Sequence, residues 1–246
     1  MTDLQEICNT KFKKNYSNNS NPVNNESIEE NCKHGKYDNF NPCMACKILQ
    51  LGLLPDGGEW PQMKKYLEHL GVTTRFAHCN LANYITNTQD QKNVKMIVQN
   101  YVLDDMFIKE GFNLILCGST GIGKTHLAVG IIKCLTSMPN TDWKVKMWKP
   151  HQLVDDIIRT KKSYQDYNED DLLILDDLIE LNEDKLQKKI ISNILLDRYD
   201  QKLSTVITTN LSANELKEQL GDRLASRILG KNNLVYSFKS DDYRDK

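Results

Sequence analysis

Between residues 113 and 138 an apolar run, a glycine-rich turn and a helical repeat follow one another without a spacer. Residues 113–117, Asn-Leu-Ile-Leu-Cys, have the unbroken hydrophobicity of a buried strand, and residues 124–138 carry apolar side chains at helical spacing. The turn reads Gly118-Ser119-Thr120-Gly121-Ile122-Gly123-Lys124-Thr125, the G-x-x-x-x-G-K-T pattern. Its glycines let the backbone wrap tightly, so that main-chain N–H groups and the helix N-terminus face phosphate oxygens. Lys124 is then placed to neutralise β- and γ-phosphate charge, and Thr125 to set its hydroxyl on Mg²⁺. A glycine-rich turn without a ligand is the alternative, and the strand and helix on either side argue against it. The expectation is a site for ATP with Mg²⁺.

With 246 residues and 39% hydrophobic content, the chain has material for one full-sized core and a small appendage. Its formal charge of -1 excludes a uniformly basic coat, so any contact with DNA must be local. No apolar run reaches membrane-spanning length, and the polar start Met1-Thr2-Asp3-Leu4-Gln5-Glu6 is no signal peptide. A soluble cytoplasmic protein with no membrane contact is expected. Seven cysteines without a secretion signal point to reduced thiols or metal ligands rather than disulfides. Of these Cys117 and Cys134 fit apolar packing, while Cys8 and Cys79 stand apart.

Four regions are expected. Residues 1–31 form a flexible segment, because six of residues 15–25 are asparagine and almost nothing there is apolar. Residues 32–50 hold a cysteine and histidine cluster. Residues 51–71 are a linker and a short helix, with Pro61 in its first turn, Gly71 at its stop, and Met63, Leu67 and Leu70 on one face. Residues 72–246 alternate helix and strand: a helix at 91–107, the phosphate loop, a strand at 144–148, a helix at 151–161, and a strand at 172–175. A helix at 184–199 bearing Leu186, Ile190, Ile191, Ile194 and Leu195 follows, then a strand at 204–208, a helix at 214–229 and a strand at 234–238. Such alternation implies an α/β fold, a parallel sheet flanked by helices.

Leu172-Leu173-Ile174-Leu175-Asp176-Asp177 sets two carboxylates at the end of a buried strand, the Walker B pattern. Asp176 is expected to hold the Mg²⁺ shell and Asp177 to orient the attacking water. Thr208-Thr209-Asn210 ends the next strand, where the Asn210 amide can reach the γ-phosphate or its water. Arg223 and Arg227 stand four residues apart on one helical face, either a solvated basic face or arginines offered to a neighbouring subunit. Cys32, His34, Cys43 and Cys46 supply four soft ligands within fifteen residues, fitting a structural Zn²⁺ that staples a small segment. Candidate DNA contacts are Lys144, Lys146 and Lys149 beside Trp143 and Trp148, then Arg159, Lys161 and Lys162, and Lys188 with Lys189.

Taken together, Gly123-Lys124-Thr125-His126-Leu127-Ala128, the Leu-Leu-Ile-Leu-Asp-Asp strand, Asp197-Arg198-Tyr199 leading to Val206-Ile207-Thr208-Thr209-Asn210, and Leu220-Gly221-Asp222-Arg223-Leu224-Ala225-Ser226-Arg227 resemble the DnaC/DnaI helicase loaders. The ending Asn233-Leu234-Val235-Tyr236-Ser237-Phe238 with Asp242-Tyr243-Arg244, and the lead-in Gly71-Val72-Thr73-Thr74-Arg75-Phe76, are similar to that family too, so the likeness covers roughly residues 70–246. The resemblance implies a P-loop NTPase of AAA+ type, an ATPase that delivers a replicative DNA helicase onto single-stranded DNA and forms a homo-oligomer when ATP-bound. It adds His126 to the nucleotide-contacting set Gly118 to Thr125. It assigns Asn210 to the sensor 1 position and Arg227 to the arginine finger, with Arg223 as the second candidate. A zinc-bearing N-terminal module resembles the helicase-binding part of DnaI-type and phage loaders. Asp177 departs from the glutamate usual in AAA+ proteins, and the tail is too short for a full lid domain. Both imply slow turnover, stimulated by DNA or a partner. The nearest rival is an IstB-type transposition ATPase, whose motifs are nearly the same and from which a zinc-bearing module is not expected. A nucleotide kinase fits less well, because no arginine-rich lid follows the sheet. A nucleotide-gated binding module that hardly hydrolyses ATP would instead show slow turnover with retained affinity.

Overall fold

A computed structural model describes residues 61–104, 106–136, 143–179 and 184–238. Every described residue belongs to the second of the chain's two units, residues 51–246. The expected flexible segment, the cysteine and histidine cluster, Cys8 and the linker at 51–60 lie outside the described residues.

Five short strands form one parallel sheet: β1 (Leu114–Cys117), β2 (Val145–Trp148), β3 (Leu172–Leu175), β4 (Ser204–Thr209) and β5 (Leu234–Ser237), in the order β2-β3-β4-β1-β5. Every residue of β1 and β3 is buried, which is why both read as unbroken apolar runs. Successive side chains alternate between faces. Ile115, Cys117, Leu173, Leu175 and Ile207 pack with Leu153 and Val154 of α5 (Pro150–Thr160), Ile191, Ile194 and Leu195 of α6 (Lys185–Asp200), Leu216 of α7 (Ala213–Leu220) and Leu224 of α8 (Asp222–Ile228). The opposite face is covered by α4 (Lys124–Thr136), which touches β2 and β4 and is backed by α2 (Gln89–Leu103). Leu186, expected on the apolar stripe of α6, is exposed; it sits well off the arc that Ile191, Ile194 and Leu195 turn to the core.

Helix starts follow from side chains that take up free N–H groups. Thr88 and Gln91 form a capping box at α2, Ser212 and Glu215 at α7, and Asp184 accepts from Leu186 and Gln187 at α6. Two expected helices are broken. The one at 91–107 ends at Leu103 and resumes as the short α3 (Met106–Lys109). The break lets the carbonyls of Phe107, Ile108 and Phe112 converge on the buried Ser204 hydroxyl at 2.9–3.2 Å. The one at 214–229 splits at Gly221, whose φ of 76° and ψ of 159° glycine alone adopts readily. Its N–H closes α7 on Lys217 O, and its carbonyl accepts the Ala225 N–H of α8.

The edge strand β2 is covered by the turn after α1 (Pro61–His69): Met147 N–H donates to Leu70 O at 2.8 Å. Gly71 follows at φ 93°, where a Cβ would meet the Met147 carbonyl at 1.8 Å. Leu67 and Leu70 are buried as their spacing predicts, while the side chain of Met63 lies outside the described residues.

Candidate functional site

Because β3, β4 and β1 are neighbours, three turns distant in sequence meet at their carboxyl ends: the phosphate loop after β1, Asp176-Asp177 after β3, and Asn210 after β4. In the loop Gly118, Gly121 and Gly123 have φ of 143°, 82° and 92°. The wrap is filled from both sides. A Cβ on Gly118 would meet Ile122 Cδ1 and Phe238 Cβ at 2.9 Å each, and one on Gly123 would meet Tyr84 Cε2 at 2.6 Å. The Tyr84 hydroxyl also donates to Ile122 O at 3.0 Å, so the segment before α2 braces the loop from outside.

Lys124, 7% exposed, donates to Gly118 O at 2.6 Å, Ser119 O at 2.7 Å and Asn210 Oδ1 at 2.9 Å. Its ammonium is tethered inside the loop by neutral oxygens, which a phosphate would replace with charged ones. Asn210 faces both ways, since its Nδ2 donates to Asp177 Oδ1 at 3.2 Å. Asp176, 3% exposed, accepts at one oxygen, Oδ1, from the Thr125 hydroxyl at 2.9 Å and the Thr208 hydroxyl at 2.7 Å. Burial pushes the Asp176 carboxyl up and the Asp177 charge adds to this, while the two hydroxyl donors and Lys149 oppose it. The pair Thr125 and Asp176 presents a hydroxyl and a carboxylate, hard oxygens of the kind Mg²⁺ takes beside phosphate and water. That donor set fits the expected metal.

His126 turns away from the loop. Its Nε2 lies 2.9 Å from both Asn80 O and Asn83 Oδ1, two acceptors, so Nε2 carries the proton, and the ring stands edge-on to Tyr84. Burial pulls its pKa down, and His78, Lys95 and Lys133 act the same way, against the hydrogen bond to Asn80. Arg223 is exposed. Arg227 folds back on its own chain: its guanidinium stacks 5.5 Å from the Tyr199 ring centre, Nη1 donates to Arg223 O at 3.0 Å, and the buried Nε has no hydrogen-bond partner.

Three of the candidate DNA contacts have partners within the chain. Lys146 donates to His69 O and lies over the Trp148 ring, Trp148 packs edge-on against Tyr167, and Arg159 pairs with Asp156 at 2.5 Å. Lys144, Lys161, Lys162 and Lys189 are exposed, and Lys149 and Lys188 are half-buried. Among the described residues no three His, Cys, Asp or Glu side chains gather to hold a metal, and Cys32, His34, Cys43 and Cys46 lie outside them. Cys79, Cys117 and Cys134 are buried and form no disulfide, and burial pushes the last two up to about 11 and about 12.

The profile of the IstB-like ATP binding proteins matches residues 54–246. The chain belongs to that family. The replicative helicase loader DnaC of Escherichia coli (strain K12) is 26% identical over 190 residues, covering 75% of this chain and 77% of DnaC. The insertion sequence IS232 ATP-binding protein of Bacillus thuringiensis subsp. berliner is 24% identical over 237 residues, covering 76% of this chain and 92% of that protein. Among solved structures, that of the DnaC helicase loader superposes with a TM-score of 0.60 at 26% identity over 68% of this chain and 100% of that one. AMPPCP-bound DnaA from Aquifex aeolicus shares the fold, with a TM-score of 0.55 at 19% identity over 69% of this chain and 51% of DnaA. The fold is thus the P-loop AAA+ fold of an ATP-binding family.

Three residues of this IstB-like chain escaped the sequence reading. Tyr84 has no motif, since its role depends on a contact with a loop 38 positions away. Thr208 read only as the last residue of a strand, with no role in the site. Arg198, wholly buried, donates to Thr205 Oγ1 at 3.2 Å and to the carbonyls of Asp170 at 3.0 Å, Asp171 at 3.4 Å and Ser204 at 2.6 Å. Burial lowers its pKa to about 10, so it stays charged at neutral pH. A signal for it existed: Ile191, Ile194, Leu195 and Arg198 form an i, i+3, i+4, i+7 stripe that places the arginine on the core face.

Proposed function

We propose that this IstB-like protein is an ATP-dependent helicase loader, binding a replicative DNA helicase and delivering it to single-stranded DNA. The observation that carries this reading is the likeness to the DnaC loader, which spans that protein's whole solved chain. In this reading Lys124 and the 118–123 backbone hold the β- and γ-phosphates, and Thr125 and Asp176 hold Mg²⁺, which supplies charge neutralisation on the transferred phosphoryl group. Asp177 orients the attacking water. Asn210 reports phosphate occupancy to it, because one amide touches both Lys124 and Asp177.

Hydrolysis is slow until DNA or the partner stimulates it, since the Asp177 arm is shorter than a glutamate's. Arg227 completes the site of a neighbouring subunit in an ATP-bound homo-oligomer, with Arg223 as the second candidate. It must first leave Tyr199, and a cation–π contact near the surface is worth only about 0.5–1 kcal/mol. Cys32, His34, Cys43 and Cys46 bind a structural Zn²⁺ in the helicase-binding module, and the exposed lysines serve single-stranded DNA. The protein works in the cytoplasm.

The second reading is a transposition ATPase, favoured by the match over 92% of the insertion-sequence protein. A pull-down with a replicative helicase and with an insertion-sequence transposase, each with and without ATP, separates the two. ATP-dependent capture of the helicase is expected, and capture of the transposase alone would replace the loader reading.

A further inference from the structure

Thr208 stands where the two acidic residues of the site are joined to the central strand. It is 1% exposed and paired in the sheet with Leu116 of β1, so its hydroxyl has no access to bulk water. That hydroxyl has one proton and it goes to Asp176 Oδ1 at 2.7 Å, while the oxygen accepts the backbone N–H of Asp177 at 2.8 Å. One oxygen atom therefore touches both acids. The turn they occupy is otherwise unfavourable: Asp177 sits at φ 63°, a left-handed conformation that a residue with a Cβ adopts only at a cost. The turn is stitched to β4 at further points. Leu178 N–H donates to Thr208 O at 2.8 Å, and the Thr209 hydroxyl donates to Leu178 O.

The consequence for chemistry lies in which carboxylate oxygen remains for the metal. Thr125 and Thr208 both donate to Oδ1, so they fix the rotation of the Asp176 carboxylate and leave Oδ2 as the oxygen that would serve the metal or its waters. Thr125 would also offer its hydroxyl oxygen to the metal, so its bond to Asp176 is shared with that role. Thr208 is too deep to reach a ligand. Through the Asp177 N–H the same hydroxyl also sets where the second carboxylate starts, and hence where Asn210 meets it.

We infer that Thr208 is a positioning residue for the Mg²⁺–nucleotide site, orienting Asp176 through its proton and Asp177 through its lone pair. The inference rests on the ATP reading of this site. Outer partners of metal ligands typically govern metal affinity or activity by about 10–100-fold. Thr208→Val keeps the shape and removes both hydrogen bonds, whereas Thr208→Ser keeps both.

The test uses the full chain and a fluorescent ATP analogue, titrated with Mg²⁺ and separately measured without metal. For Thr208→Val the Mg²⁺ concentration at half-saturation is expected to rise by about 10-fold or more, with metal-free nucleotide affinity within about twofold of wild type and Thr208→Ser restored to wild type. Thr208→Ala is read in the same way if the valine variant does not fold. An unchanged Mg²⁺ titration in the apolar variants, or failure of serine to restore it, overturns the role of Thr208. So does loss of folding in both apolar variants beside a normal serine variant, which would make the hydroxyl a folding element. A wild-type protein that binds the analogue at no Mg²⁺ concentration overturns instead the nucleotide reading itself.

Discussion

Replacing Gly123 by alanine is expected to harm the protein for two separable reasons, and a double-mutant cycle with Tyr84 divides them. The first is conformational: at φ 92° a Cβ costs about 1–2 kcal/mol, whatever surrounds it. The second is steric, because that Cβ would lie 2.6 Å from Tyr84 Cε2. The ring has little room to retreat. It is 5% exposed, and its hydroxyl would lose the bond to Ile122 O, so the overlap costs a further 1–3 kcal/mol or so, as in other overpacked sites. Gly123→Ala should therefore destabilise by about 2–5 kcal/mol in the wild-type background and by only about 1–2 kcal/mol in Tyr84→Ala, a coupling of about 1–3 kcal/mol. Urea unfolding of the four proteins measures it. Titration of a fluorescent ATP analogue should show the same coupling as roughly 5- to 150-fold in affinity, since the displaced loop N–H groups are the proposed phosphate ligands. Costs that simply add, within about 0.5 kcal/mol, would mean that Tyr84 does not brace the loop.

Arg227→Ala should spare ATP binding and lower hydrolysis in assemblies by on the order of 10³, and admixture of Lys124→Ala subunits, which supply the arginine but bind no ATP, should partly restore it. Failure to complement in a demonstrably mixed oligomer moves the role to Arg223 or removes it. Arg198→Leu leaves the half-buried Asp170 and buried Ser204 carbonyls without the Arg198 donor and should lower unfolding stability by about 3 kcal/mol, and a loss below about 1 kcal/mol would refute the clamp. Burial holds His126 below the usual histidine value, so it is neutral in the folded state where the unfolded chain takes up a proton. Its contribution to stability is complete above about pH 6.5 and is lost as pH falls from there through the folded value. Thermal unfolding between about pH 7.5 and 5 should show a shallower decline in His126→Gln, and parallel curves would exclude His126 as the titrating group. Replacing Cys43 and Cys46 by serine should release zinc and weaken helicase capture while nucleotide binding persists; metal analysis that finds no zinc in the wild-type protein would end that reading.

What the residue order alone made legible was local. The phosphate loop, the Leu172 to Leu175 strand with its two aspartates, and most helices announce themselves through short-range patterns, because backbone wrapping, strand burial and helix capping each depend on neighbours within a few residues. Breaks were less legible. The helix expected at 214–229 turns at Gly221, and that at 91–107 stops after Leu103 to bring three carbonyls to Ser204, a demand set by a strand about a hundred residues later. The site was legible as a set of motifs but not as an arrangement. Strand order put β4 between β3 and β1, and this decided that Asn210 spans Lys124 and Asp177 and that Thr208 touches both acids, while the packing of the segment before α2 set Tyr84 against Gly123. Arg227 makes the same point in reverse. Helical spacing set it on one face with Arg223, but whether that face met solvent or Tyr199 depended on how α8 packs on α6, a contact that no pattern within either helix encodes.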